Sequence, residues 1–130
     1  KKFIHLTGFH PSPSELLPIM DVFCMPSRER EGLPKAVIEA MSIGIPPIVT
    51  NVGGMPELVI NNECGIVIPP NNPEALLSAI IELKQSKDLC KKLGLAATRR
   101  IQDNFKIEDT IEETIALYLN AIALSEVSTR

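Results

Sequence analysis

Long hydrophobic runs are missing from these 130 residues. None approaches the roughly 20 apolar residues of a membrane-spanning helix, and no signal-peptide pattern opens the chain. An excess of charge of one sign is missing too: the net charge is −3, and the thirteen Lys and Arg are scattered except for Lys1-Lys2, Lys91-Lys92 and Arg99-Arg100. That argues against an electrostatic footprint for nucleic acid. The three cysteines, Cys24, Cys64 and Cys90, lie far apart, with no C-x-x-C spacing and no histidine close in sequence. A disulfide framework and a sequence-local zinc site are thereby disfavoured, and the thiols read as reduced and mostly buried in a cytoplasmic protein. No G-x-G-x-x-G follows an apolar run, which argues against a dinucleotide dehydrogenase. There is no internal repeat, low-complexity tract or dividing linker.

What is present is the composition of one soluble globular domain, 45% hydrophobic and 22% charged. Short apolar runs at 3–7, 22–25, 47–50 and 65–68 are bounded by Gly, Pro or Ser and predict about four buried strands. Helical stretches at 14–20, 34–43 and 55–60 alternate with them. Gly44 stands where a left-handed helix cap belongs, and Ile45-Pro46-Pro47 forces an extended entry to the next strand. This alternation predicts an α/β fold, a Rossmann-like parallel sheet flanked by helices over about residues 1–70. From 73 to 130 the pattern is all helical. Pro73 sits near the first position of a helix reaching about Ser86, with Ala75, Leu76, Ala79, Ile80 and Leu83 as its apolar stripe. Further helices are predicted over 87–104 and 107–127, the last striped by Ile111, Ile115, Leu119 and Ile122.

In a parallel α/β sheet, ligands bind where strand ends meet helix N-termini. Residues 27–34 follow a strand and open a helix, so they lie at such an end. Gly32 lets the backbone approach a ligand, Pro34 suits the first helical position, and the amides of Gly32 and Leu33 can face an anion or a hydroxyl. Glu31 precedes this helix and Glu39 lies on its flank, beside a packed arc of Ala36, Val37, Ala40, Met41 and Gly44. A carboxylate at Glu39 can accept two hydrogen bonds from a vicinal diol such as a ribose. Equally, Glu39 can be a solvated residue paired with Lys35, with Glu31 merely favouring the helix N-terminus. A second glycine turn, Asn51-Val52-Gly53-Gly54-Met55-Pro56-Glu57, again joins a strand to a helix. Two such loops on consecutive strands point to one shared cleft. His10, after Gly8, and Ser27 are candidates for ligand contact there; His5 reads as a structural strand residue and Asp21 as a turn residue.

The stretch PSREREGLPKAVIEAMSIGIPPIVTNVGGMPELV followed by GIVIPPNNPEALLSAI resembles the carboxyl-terminal domain of the family 4, group 1 retaining glycosyltransferases, whose fold is the two-domain GT-B architecture. The combination of E-x7-E, E-A-M-x-x-G-x-P and G-G-x-x-E carries the resemblance, which runs from Leu6-Thr7-Gly8 to the Phe105 region. It implies that Glu39 holds the ribose hydroxyls of a nucleoside diphosphate sugar. Glu31 would stand beside the donor sugar in a positioning or electrostatic role, with the backbone of Gly32, Leu33 and Pro34 on the sugar and diphosphate. Gly8 and Phe9 would border the base. It further implies retaining transfer to a glycan, lipid or small-molecule acceptor, with no cofactor and no essential metal, in keeping with the absence of an Asp-x-Asp triplet.

The family's diphosphate-binding Arg and Lys precede the position matched by Lys1, as does its amino-terminal domain, which binds the acceptor. The expectation is therefore a fragment that is inactive alone and prone to self-association through open strand edges, with membrane association only through the missing domain. In the strand order 3-2-1-4-5-6, residues 3–7 would lack their usual neighbours. The alternatives are a non-catalytic nucleotide-sugar-binding module, a truncated gene product, or a sugar-nucleotide epimerase of the same fold. The epimerase lacks this E-x7-E context.

Overall fold

The computed structural model describes residues 3–29 and 31–128; the Lys1-Lys2 pair lies outside them. Three parallel strands, β1 (Phe23–Met25), β2 (Pro47–Thr50) and β3 (Ile66–Ile68), form a sheet in the order β1-β2-β3. Phe23, Cys24 and Met25 register with Pro47, Ile48 and Val49, and Ile48, Val49 and Thr50 with Ile66, Val67 and Ile68. The middle strand is buried at all four positions, as a strand covered on both faces must be. Its alternating side chains feed separate cores. Val49 packs with Val37, Met41, Met55, Leu58, Ala97 and Ile101, whereas Ile48 packs with Ile66, Ile68, Ala79, Leu83 and Leu93.

The helices α1 (Lys35–Ser42) and α2 (Met55–Leu58) connect the strands, and α3 (Pro73–Gln85), α4 (Lys87–Asn104) and α5 (Ile107–Ser128) follow. Both α3 and α4 open on side-chain caps: Asn72 Oδ1 accepts from the Ala75 amide at 2.9 Å, and Ser86 Oγ, at the break between the two helices, from the Leu89 amide at 3.2 Å. Pro73 occupies the start of α3, as its missing N–H allows. On β3, the outward amide of Val67 is taken by Asn61 Oδ1 at 2.8 Å, which blocks that edge against a further strand.

Several expectations change. Residues 3–7 form no strand: Phe3, Ile4 and Leu6 are 71–94% exposed, because no described strand lies beside them to complete a ladder. His5, expected within a strand, is likewise exposed. The stretch 14–20 coils as a 3₁₀ helix, Pro13–Ile19, since Pro18 inside it cannot donate an α-helical bond. Ala36 faces solvent rather than the packed arc of α1. Helices α3 and α4 cover the sheet, but on α5 the stripe residues Ile111, Ile115, Leu119 and Ile122 are 50–62% exposed. Cys64 is buried, Cys90 partly so, and Cys24 exposed.

Helix α4 packs against α1 and meets the turn at its end through Gly94. A Cβ there would stand 2.1 Å from the Gly44 carbonyl oxygen, and Gly44 itself has φ +82°, the left-handed cap expected from the sequence. Thr98 Oγ1 donates to the Met41 carbonyl at 3.1 Å across the same seam. Gly94→Ala should therefore force the helices apart and cost roughly 1–3 kcal/mol in urea unfolding. Burial pushes the Cys64 thiol up, against smaller opposing effects of the Ile60 backbone hydrogen bond and the Arg100 charge. A raised pKa in the folded state means that its contribution to stability is complete at neutral pH. That contribution is lost above about pH 8.5, where the unfolded thiol ionises first. A Cys64→Ala variant should show a shallower alkaline fall in stability than the parent.

Candidate functional site

The carboxyl ends of β1 and β2 carry the two glycine loops, and the structure brings them into backbone contact. The Gly54 amide donates to the Glu31 carbonyl at 3.0 Å. Gly53 has φ +54°, and a Cβ on it would lie 1.9 Å from the Glu31 oxygen; one on Gly54 would lie 2.7 Å from the Gly32 oxygen. Both glycines are thus demanded by the crossing itself, beyond the needs of a turn. A second stitch lies beneath: Thr50 Oγ1 donates to the Ser27 carbonyl at 2.7 Å, and Thr50 is 2% exposed. The loop after β1 is thereby held at two points, at Ser27 from the end of β2 and at Glu31 from the turn that follows β2.

This anchoring leaves one face of the loop open. Gly32 has nothing within 4 Å of where its Cβ would be. Among the described residues, the amides of Gly32 and Leu33 enter no hydrogen bond. Pro34 takes the N-cap of α1 rather than the first helical position: its carbonyl accepts from Val37 and Ile38 at 3.0 and 3.3 Å. With no side-chain cap on α1, the amides of Lys35 and Ala36 likewise enter no hydrogen bond among the described residues. The result is a cluster of donors at the positive end of a helix, the arrangement that suits phosphate or sugar oxygens.

Of the carboxylates, Glu31 is partly buried and accepts a long hydrogen bond from Ser27 Oγ at 3.4 Å. Ser27 thus joins the site through Glu31. Glu39 lies on the flank of α1, its side chain 33% exposed, and pairs with Lys35 Nζ at 3.4 Å. Lys35 is 88% exposed, so the pair is screened and weak enough for a ligand hydroxyl to displace.

Gly8 and Phe9 sit on the exposed segment before the 3₁₀ helix, with Phe9 94% exposed. Among the described residues neither is hydrogen-bonded to the loops. His10 makes a local turn, its Nδ1 accepting from the Ser12 amide at 3.2 Å. The Asp21 carbonyl accepts from the Cys90 thiol at 3.3 Å.

Beside the loops opens a cavity of about 300 Å³, lined by Pro26, Arg28, Thr50, Ile68, Asn71 and Pro73 among others. Arg28 and Thr50 were not singled out from the sequence. A polar residue closing an otherwise apolar buried strand was the available signal for Thr50; Arg28, one of several loop charges, gave none. Among the described residues no group of three or more His, Cys, Asp or Glu side chains could hold a metal ion.

Residues 1–100 match the family model described as glycosyl transferases group 1. The chain is 30% identical over 122 residues to the Escherichia coli UDP-Gal:alpha-D-GlcNAc-diphosphoundecaprenol alpha-1,3-galactosyltransferase, covering 94% of this chain and 31% of that protein. The solved glycosyltransferase of Rickettsia africae superposes with a TM-score of 0.81 at 29% identity, over 92% of this chain and 32% of that one. Anabaena Alr3699/HepE, solved with UDP, shares the fold at a TM-score of 0.79 and 23% identity, over 88% of this chain and 31% of that one. The chain thus spans about a third of the length of each.

Gly53→Ala should break the loop crossing, at a cost of roughly 1–3 kcal/mol in unfolding. In the amide spectrum its effects should concentrate on Glu31, Gly32 and Gly54; perturbations spread evenly over the core would contradict the crossing.

Proposed function

The chain belongs to the group 1 glycosyl transferases, and on that basis we propose that it is the donor-binding part of an enzyme that moves a sugar, with retention, from a nucleoside diphosphate to an acceptor hydroxyl. The carrying observation is the Gly54-to-Glu31 hydrogen bond, which fixes the loop while the Gly32 and Leu33 amides enter no hydrogen bond among the described residues. The nucleoside diphosphate sugar named for the 30%-identical relative supports the donor class.

In this reading Glu39 exchanges its weak Lys35 partner for the ribose diol, as an acceptor of two charge-assisted hydrogen bonds. The amides of Gly32 and Leu33, with Pro34 shaping the turn, meet the diphosphate and sugar oxygens at the N-terminus of α1. Gly8 and Phe9 border the base. Glu31 lies by the donor sugar, where its carboxylate orients the ring and stabilises positive charge developing at the anomeric carbon. The bond from that carbon to the diphosphate oxygen breaks as the bond to the acceptor oxygen forms, and the acceptor proton leaves with the diphosphate. Amides and helix dipole offset the leaving group's charge, so no metal is required of this site.

UDP, GDP and ADP, followed by their sugar conjugates, should be titrated calorimetrically into the protein and into Glu39→Ala. One nucleotide should bind saturably, and the variant should bind it more weakly by roughly 1–3 kcal/mol, the scale of hydrogen bonds to a charged group. Binding indifferent to Glu39→Ala would sink the ribose assignment.

A further inference from the structure

Helix α2 is a single turn, too short to hold itself, yet its N-cap is Gly54, the residue that fastens the Glu31 loop. Its opposite end is gripped from α4 by Arg100. The Nε of Arg100 donates to the Leu58 carbonyl at 2.8 Å, and its Nη2 donates to the Glu57 carbonyl. The guanidinium rests 5.6 Å from the centroid of the Phe105 ring, which holds the fork in place. These carbonyls close a helix end and have no partner within it. The neighbouring Arg99 is exposed and enters no such bond among the described residues.

We propose that Arg100 is a positioning residue for sugar transfer: by clamping the C-terminal carbonyls of α2 it sets the Gly53-Gly54 turn, and through it the backbone that presents Glu31 and the Gly32 and Leu33 amides. The link is short and stiff. Glu57 and Leu58, whose carbonyls Arg100 holds, donate their own amides to the Gly54 carbonyl at 3.1 and 3.2 Å, while Met55 and Leu58 are fully buried. One helical turn, roughly 6 Å long, therefore separates the clamp from the loop contact. Helix α4 treats α1 in the same way, Thr98 taking the Met41 carbonyl, so both helices that open at the site are held from their far ends by one element. A planar fork reaches two adjacent carbonyls at once, which an ammonium group does less well. The transfer role rests on the functional reading above.

The test compares the intact protein with Arg100→Gln, Arg100→Lys and Leu83→Val, the last a core change on the other face of the sheet that lowers stability without touching α2. Amide exchange at Gly54 is followed by NMR, and affinity is measured for UDP, GDP and ADP and their glucose conjugates. In Arg100→Gln, exchange at Gly54 should accelerate by roughly tenfold or more as the loop opens locally. Affinity for the sugar conjugate should fall by roughly 10- to 100-fold as the amides lose their aim. Arg100→Lys should lie between, and Leu83→Val should lower the melting temperature while leaving both readouts near the parent. The proposal is overturned if Arg100→Gln matches the parent at Gly54, or if Leu83→Val moves both readouts as far as Arg100→Gln does. If the parent binds no nucleotide, the functional reading and the transfer role fall together, whereas exchange at Gly54 still decides whether Arg100 braces the loop.

Discussion

Everything at the candidate site depends on two backbones touching without side chains between them. The turn after β2 lies directly against the turn after β1, with the Gly54 amide on the Glu31 carbonyl and Gly53 occupying space that admits no Cβ. A backbone-to-backbone hydrogen bond of this kind constrains the carboxylate residue by its main chain and leaves its side chain free for a ligand. It also explains how exposed amides can be kept in register, since the loop has little core of its own. Thr50 supplies the same service one layer down, its hydroxyl donating to the Ser27 carbonyl.

The sheet makes this contact possible because its strands are parallel. Parallel strands deliver their carboxyl ends, and hence their loops, to one edge, where helix N-termini also gather. The order β1-β2-β3 places the two loop-bearing strands side by side. Behind them, α4 carries more of the architecture than its place in the chain suggests. It contributes Leu93 to one core and Ala97 and Ile101 to the other, and its polar side chains Thr98 and Arg100 take carbonyls at the ends of α1 and α2. The helical part is therefore mechanically continuous with the site.

The opposite extreme is found at both ends of the described chain. Residues 3–7 have the composition of a strand but remain exposed, and α5 keeps an apolar stripe in solvent. Strand propensity alone does not make a strand, because the ladder needs a neighbour. On the far side of the sheet, Asn61 caps the Val67 amide and closes that edge with a side chain.

Periodicity and punctuation determined most of the elements: the buried β2, the start of α3 at Pro73, the Gly44 terminus and the length of α4 were all legible, because each depends on interactions within a few residues. The resemblance carried by the two glutamates and the glycine turns was legible for a different reason, being a pattern of spacing. Only the tertiary structure decided that Gly53 and Gly54 answer to Glu31 and Gly32, that Pro34 caps rather than begins α1, and that Arg100 reaches the end of α2. Thr50 and Ser27 are 23 residues apart, and Arg100 and Leu58 are 42. The acceptors in these contacts are backbone carbonyls, which every residue possesses, so no choice of side chain at the accepting position could announce them in the sequence.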